Sequence, residues 1–390
     1  MTRPEPAASQ RLHGLDAVRA AALLLGICLH AALSFLPGVD PLVWPITDTQ
    51  KSVPLGLLSF LIHVFRMSVF FMVAGLFAHM LYHRLGWRGF WRNRLMRIAL
   101  PLAGGWVICY TLVIGIVLWA VARAHQGHLP DPLPPQFAGA SPNFLHLWFL
   151  YVLLWLYAIV TGLRRLWCAI DVQRRFAALA DRLLRWALSS PAGPLCLALP
   201  VATALFLEPD WLVLHGVPTP GYTLLPPLVP LFIYAWVFGL GWLLDRQRHL
   251  LDGLAARWPR HLVIGLVGVG VALYLYNRPD IKPVLALAYA TGLTYWTLAF
   301  IGAGLRFFSR ASATVRYLSD ASYWMYLMHL PVIFALQTAL MLADWHWAIK
   351  YLLINVASFA ILLLSYRHAV RPTWVGLLLN GRRRSRGAEA

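Results

Sequence analysis

The stretch Leu12 to Phe35, LHGLDAVRAAALLLGICLHAALSF, is apolar enough to cross a membrane, yet it carries Asp16, Arg19 and His30. An ionisable side chain at bilayer depth costs about 2.5–3.5 kcal/mol on insertion scales, so it reads as functional by default. Arg19 and His30 are eleven residues apart. At about 100° per residue that is three turns plus about 20°, which puts them on one helix face about 16 Å apart. Asp16 lies one turn before Arg19 and can pair with it. An imidazole takes a proton near neutral pH, as a general base acting on a hydroxyl must. A guanidinium holds a carboxylate or phosphate, or steadies an oxyanion. His30 and Arg19 are therefore the candidate catalytic pair, and Asp16 a candidate binding residue.

A second apolar stretch carries His63 and Arg66, one turn apart on one face. With the helix running the other way, two histidines and two arginines from adjacent helices can meet in one cavity. The segment RLGWRGFWRNRLMR, Arg84 to Arg97, presents Arg94 and Arg97 on a shared face, where they could bind a phosphate-bearing donor such as a nucleotide thioester. Further on, ASYWMYLMHLP places Ser322, Tyr326 and His329 on one face, just before Pro331. Tyr326 and His329 are candidate lining residues; His146, opening HLWFLYVLL, is a weaker one. Each has a bland alternative: a structural ion pair for Asp16, Arg19 and Arg66, a satisfied structural histidine for His30, His63 and His329, and a topology signal for Arg94 and Arg97. There is no GxSxG, Walker A, HExxH or paired-carboxylate motif, which argues against a nucleophile-elbow hydrolase or an ATPase. The four cysteines are scattered with no CxxC pair, so neither a metal site nor a disulfide framework is expected.

The elements that must position these residues are membrane helices. The 390 residues are 60% hydrophobic and only 12% charged, where a soluble domain carries about 25% charged residues. Runs of about 20 apolar residues recur along the chain. They predict an all-α polytopic bundle of about ten spans, near 15–36, 54–81, 98–121, 143–163, 192–208, 223–244, 262–277, 284–305, 317–341 and 346–367. The positive-inside rule fixes the orientation. With both termini cytoplasmic, 26 Lys and Arg fall on inside segments and five outside. The net charge of +18 is thus a topology signal with attraction to anionic lipid, and nucleic acid is not an expected partner. The expected layout is a polar segment at 1–14, one transmembrane domain at 15–367 and a basic cytoplasmic tail at 368–390. The inside loop near 164–190 reads as an amphipathic surface helix. Outside loops at 37–53, 122–142 and 208–222 are rich in Pro, Gly and Trp, suited to contact with a sugar or to interfacial anchoring. No internal repeat is evident, which weakens an inverted-repeat transporter.

LDAVRAAALLLGICLH resembles the opening helix of the acyltransferase family 3 membrane proteins, whose mark is Arg, ten residues, His; here Arg19 and His30. FIHVFRMSVFFMVAGLF and FWRNRLMRIALP resemble that family's second span and its RxxR motif, here Arg94 and Arg97, and HLWFLYVLL and ASYWMYLMHLP match later signatures. The likeness runs from about residue 11 to about 340 and is strongest to the family's glucan-biosynthesis branch. Two departures stand out. Ala74-Gly75 replaces a usual Ser-Gly, and Met328-His329 replaces paired histidines. The resemblance implies an O-acyltransferase of the bacterial inner membrane with no bound cofactor. Its donor would be a cytoplasmic acyl-CoA, succinyl-CoA or acetyl-CoA with succinyl favoured, its phosphates near Arg94 and Arg97. Its acceptor would be a hydroxyl of a periplasmic glucan, and Arg66 or Arg19 would hold a succinyl carboxylate. Acetyl transfer to another surface polysaccharide or lipid-linked sugar, and a saccharide transporter or flippase, are the competing readings.

Overall fold

In the computed structural model every span expected from hydropathy falls on a helix, and no strand occurs among the described residues. Those residues are 13–41, 43–132, 143–171, 173, 175–220 and 225–380. Most of the expected polar N-terminal segment, part of the 122–142 loop and the basic run after residue 380 lie outside them. The helices are α1 His13–Ala32, α2 Val53–Arg94, α3 Leu100–Ala124, α4 Trp148–Ile170, α5 Arg175–Ser189 and α6 Gly193–Leu207. They continue with α7 Leu228–Arg246, α8 Leu250–Tyr274, α9 Lys282–Phe307, α10 Ala313–Leu340, α11 Trp347–Ser365 and α12 Trp374–Asn380.

Local chemistry sets several of the boundaries. Ser52 caps α2, its Oγ accepting from the Leu55 N–H at 3.3 Å, with a proline in the first turn where no N–H is missed. Ser312 caps α10 in the same way. Near its far end α2 breaks at Gly86, whose φ of 66° suits glycine. A five-residue π-helical turn, Leu95–Ala99, then joins α2 to α3 and carries Arg97. Such turns are uncommon and concentrate at functional sites.

Seven helical stretches among the described residues are long and apolar enough to cross a membrane. One is the 72-residue run Val53–Ala124, which contains two of the expected spans. Helices α5 and α6, bent by 110°, qualify only as a pair, and α8 falls outside the set. The molecule is a multi-pass membrane protein. Helix α5 has the amphipathic character expected of the 164–190 segment: it buries Leu184, Ala187 and Leu188 and exposes Phe176, Leu179, Leu183 and Trp186.

Helix α1 is central, packing against α2, α9, α10 and α11. Helices α2 and α7 come together backbone to backbone: a Cβ on Gly75 would sit 2.0 Å from the Phe238 carbonyl oxygen, and one on Gly241 would sit 1.9 Å from that of Met72. Gly75 thus has a packing function, as small residues do at membrane helix interfaces. Between α1 and α2 the chain is clamped by a buried ion pair. Lys350 Nζ lies 2.8 and 2.9 Å from the two Asp48 carboxylate oxygens, with the side chains 0% and 3% exposed. The neighbouring Lys51 donates to the Ser34 carbonyl; its partial burial lowers its pKa, which the Asp48 charge partly offsets.

Candidate active site

One cavity of about 2840 Å³ runs through the bundle. It reaches exposed Arg84 at one end and exposed Asp40 at the other. Every candidate from the sequence lines it: Asp16, Arg19, His30, His63, Arg66, Arg94, Arg97, Tyr326 and His329. It is several times larger than a usual small-molecule pocket of about 300–1,000 Å³, as a passage holding two reactants would be.

Three histidines from three elements meet in its middle. The His30 ring on α1 lies 5.1 Å from the His329 ring on α10, centroid to centroid. His329 lies 4.7 Å from His146, in the short turn before α4. Pro331 explains how His146 is held. The carbonyl of Leu327 would ordinarily accept from the N–H four residues on, but that residue is proline and has no N–H. The freed carbonyl instead faces His146 Nε2 at 3.0 Å and accepts from Cys109 Sγ at 3.0 Å. A carbonyl can only accept, so Nε2 of His146 carries the proton. In the neutral ring Nδ1 is then a bare lone pair, and it is buried without a partner. By the same logic His329 Nδ1 donates to the Tyr326 carbonyl at 2.8 Å, leaving Nε2 unprotonated. Tyr326 Oη donates to the His146 carbonyl at 2.8 Å and closes the group. His30 Nδ1 is also buried and unpartnered.

Arg66 supplies the charge at this centre. It is 9% exposed, forms no ion pair among the described residues, and its Nε has no partner. It lies within electrostatic reach of His30, His63, His329, Tyr234 and Tyr326. Gly26 on α1 makes room for it, since a Cβ there would sit 2.1 Å from Arg66 Nη1. A buried cation without a counter-charge is costly, and an anionic ligand would remove that cost. His63 lies to one side, against the 213–217 backbone and beside Tyr289.

Arg19 is not at this centre. It lies about 16 Å down α1 from His30, pairs with Asp16 at 3.8 Å, is 40% exposed in its side chain and approaches the Phe77 ring. It belongs with Arg94, Arg97 and Arg248 at the basic end of the cavity. Arg94 donates to Tyr157 Oη at 3.1 Å and to Asn93 Oδ1 at 2.6 Å, between the Phe90 and Tyr157 rings. Arg97, beside it, presents a second guanidinium, and its carbonyl accepts from Tyr323 Oη. Sequence reasoning underrated His146, although Pro331 one turn beyond Leu327 was the available signal. It also missed Trp44, which stacks on His30 at 5.4 Å. Among the described residues no cluster of His, Cys, Asp and Glu has metal-binding geometry.

A helical membrane bundle enclosing a histidine–arginine passage is the class of protein defined so far. A family model described as an acyltransferase domain, the acyltransferase family 3 model, matches residues 12–367, and the chain belongs to that family. It is also similar to the glucans biosynthesis protein C of Shigella dysenteriae serotype 1 (strain Sd197) and of Escherichia coli (strain K12). The identity is 32% over 149 residues in both cases, 38% of this chain and 37% of each relative. The matched stretch thus spans little more than a third of these relatives. No solved structure matches the chain.

Proposed function

We propose that the protein is an O-acyltransferase of the bacterial inner membrane, moving an acyl group, succinyl by preference, from a cytoplasmic acyl-CoA to a hydroxyl of a periplasmic glucan. The observation that carries this reading is one cavity joining a guanidinium-rich end to a group of three imidazoles, two buried and His30 half-buried, beside a buried arginine with no ion pair among the described residues. The relatives named for glucan biosynthesis support the acceptor. The basic end, taken as cytoplasmic by the positive-inside rule, would hold the phosphates of the donor through Arg94, Arg97 and Arg19. The thioester would reach the histidines. His30 takes the proton of the sugar hydroxyl as its oxygen attacks the thioester carbonyl. The C–S bond then breaks, and the proton leaves with the thiolate as coenzyme A thiol. Arg66 holds the free carboxylate of a succinyl group, which would make the donor itself the missing counter-charge.

Mass spectrometry of periplasmic glucans tests the reading, from cells with the intact protein, without it, and with His30→Ala at matched membrane level. A succinyl ester that depends on the protein and disappears in the variant supports it. An acetyl ester replaces the acyl group in this proposal. Glucans that reach the periplasm only with the protein but carry no ester make it a transporter.

A further inference from the structure

His30 is the one member of the histidine group whose ring is held by stacking rather than by a backbone carbonyl. Its Nδ1 has no partner, whereas His146 and His329 each lie against a carbonyl oxygen. What fixes its plane is Trp44, from the part of the link between α1 and α2 that follows the short 3-10 turn Leu33–Phe35 and has no helical structure. The two rings lie 5.4 Å apart and 28° from parallel. Phe334 meets the indole edge-on at 4.6 Å. Trp44 borders the cavity, but with His30 stacked on it, Phe334 against it and only 4% of the residue exposed, it leaves little ring surface for a sugar to stack on.

The indole is itself tied to the backbone that carries the imidazole. Trp44 Nε1 donates to Gln337 Oε1 at 3.1 Å. The same amide donates from Nε2 to the carbonyls of His30 and Ala31 at 3.1 and 3.2 Å. Carbonyls in the last turn of a helix lack regular helical donors, so this amide answers an existing need. The link is anchored further along by Asp48 on Lys350, by the Asp48 N–H on the Ser34 carbonyl at 3.0 Å and by the Ser52 N–H on that of Phe35 at 2.8 Å.

The geometry points to Trp44 and Gln337 as positioning residues for His30: one side chain sets the imidazole plane, the other locks the indole to the His30 backbone. This rests on His30 being the working base of the proposed reaction. A base displaced by about 1 Å loses roughly a hundredfold in rate while binding persists. The two residues therefore act on turnover, not on affinity for either substrate.

The test uses the purified protein in detergent micelles, with succinyl-CoA and a mixed-length glucan preparation, and with ester formation followed by mass spectrometry. Trp44→Leu lowers kcat by about 10- to 100-fold with both KM values within about twofold, because orientation is lost and binding is not. Trp44→Phe keeps a ring to stack on and restores kcat to within about fivefold. Gln337→Met, of similar length but without the amide, lowers kcat by about tenfold. Thermal unfolding of each variant normalises the rates to folded protein, and the Phe and Met variants decide the matter if the Leu variant does not fold. His30→Ala is measured alongside. If His30→Ala is inactive while all three substitutions match wild-type kcat, positioning is wrong and the base assignment stands. A rise in acceptor KM alone would make Trp44 a binding residue and overturn the proposal. If His30→Ala is fully active, both readings fall.

Discussion

The two reaches of the cavity that carry candidate chemistry are built on different principles. At the basic end, long guanidinium side chains stand in a partly exposed mouth: Arg19 is 40% exposed and 3.8 Å from Asp16, and Arg94 leans on aromatic rings. A loose pair of this kind, with Asp16 buried and the guanidinium partly exposed, holds its arginine only weakly, and salt screens the exposed cation. In the middle, the imidazoles of His146 and His329 are buried, that of His30 is half-buried, all three are fixed by carbonyls or ring contacts, and Arg66 is packed over a glycine. The first region can hold a charged, flexible ligand without dictating its exact pose; the second dictates where a proton can go. A group-transfer enzyme needs both kinds of surface.

If that contrast is right, substitutions in the middle cut turnover and those at the basic end weaken donor binding. The largest effect is expected from His30→Ala, which lowers kcat by about 10²–10⁴-fold, the usual worth of a positioned general base. Next comes Lys350→Met, which leaves Asp48 buried without its cation and destabilises the fold by about 3–5 kcal/mol, read as a lower unfolding temperature in micelles. Gly26→Ala sharpens the comparison most. The added methyl displaces the tip of Arg66 and leaves the helix backbones in place. Stability should stay within about 1 kcal/mol, since alanine is the better helix former, while kcat falls by about tenfold. Pro331→Ala gives Leu327 its helical N–H back and competes with His146 and Cys109 for that carbonyl. It should lower kcat several-fold while stabilising the helix. The smallest change is expected from Arg94→Gln and Arg97→Gln, each raising donor KM by about five- to tenfold with kcat unchanged, an effect that shrinks as salt rises. Equal loss of kcat from Arg97→Gln and Gly26→Ala would erase the distinction between the regions.

Helix positions and the membrane class were legible in the residues because apolar runs of span length have few other uses. Arg19 and His30 on one face followed from helix periodicity alone, and so did their separation. That same separation is why they do not act at one point. Sequence spacing places residues along an element, but it does not say which element lies across from them. His146 shows this: it is about 180 residues from Leu327 in the chain, and only the packing of α10 beside α3 and the turn before α4 gives it a partner. Arg66 as the charge beside His30 depends on α1 crossing α2 where glycine allows it. Trp44 lies in a link with no periodicity to read, and it reaches His30 because Gln337, some 290 residues away in the chain, and Lys350 hold that link down. The sequence by itself determined the helices, their membrane setting and the residue types available for the proposed acyl transfer. The tertiary structure decided which of those residues share a reaction centre, because that depends on long-range contacts that no local pattern encodes.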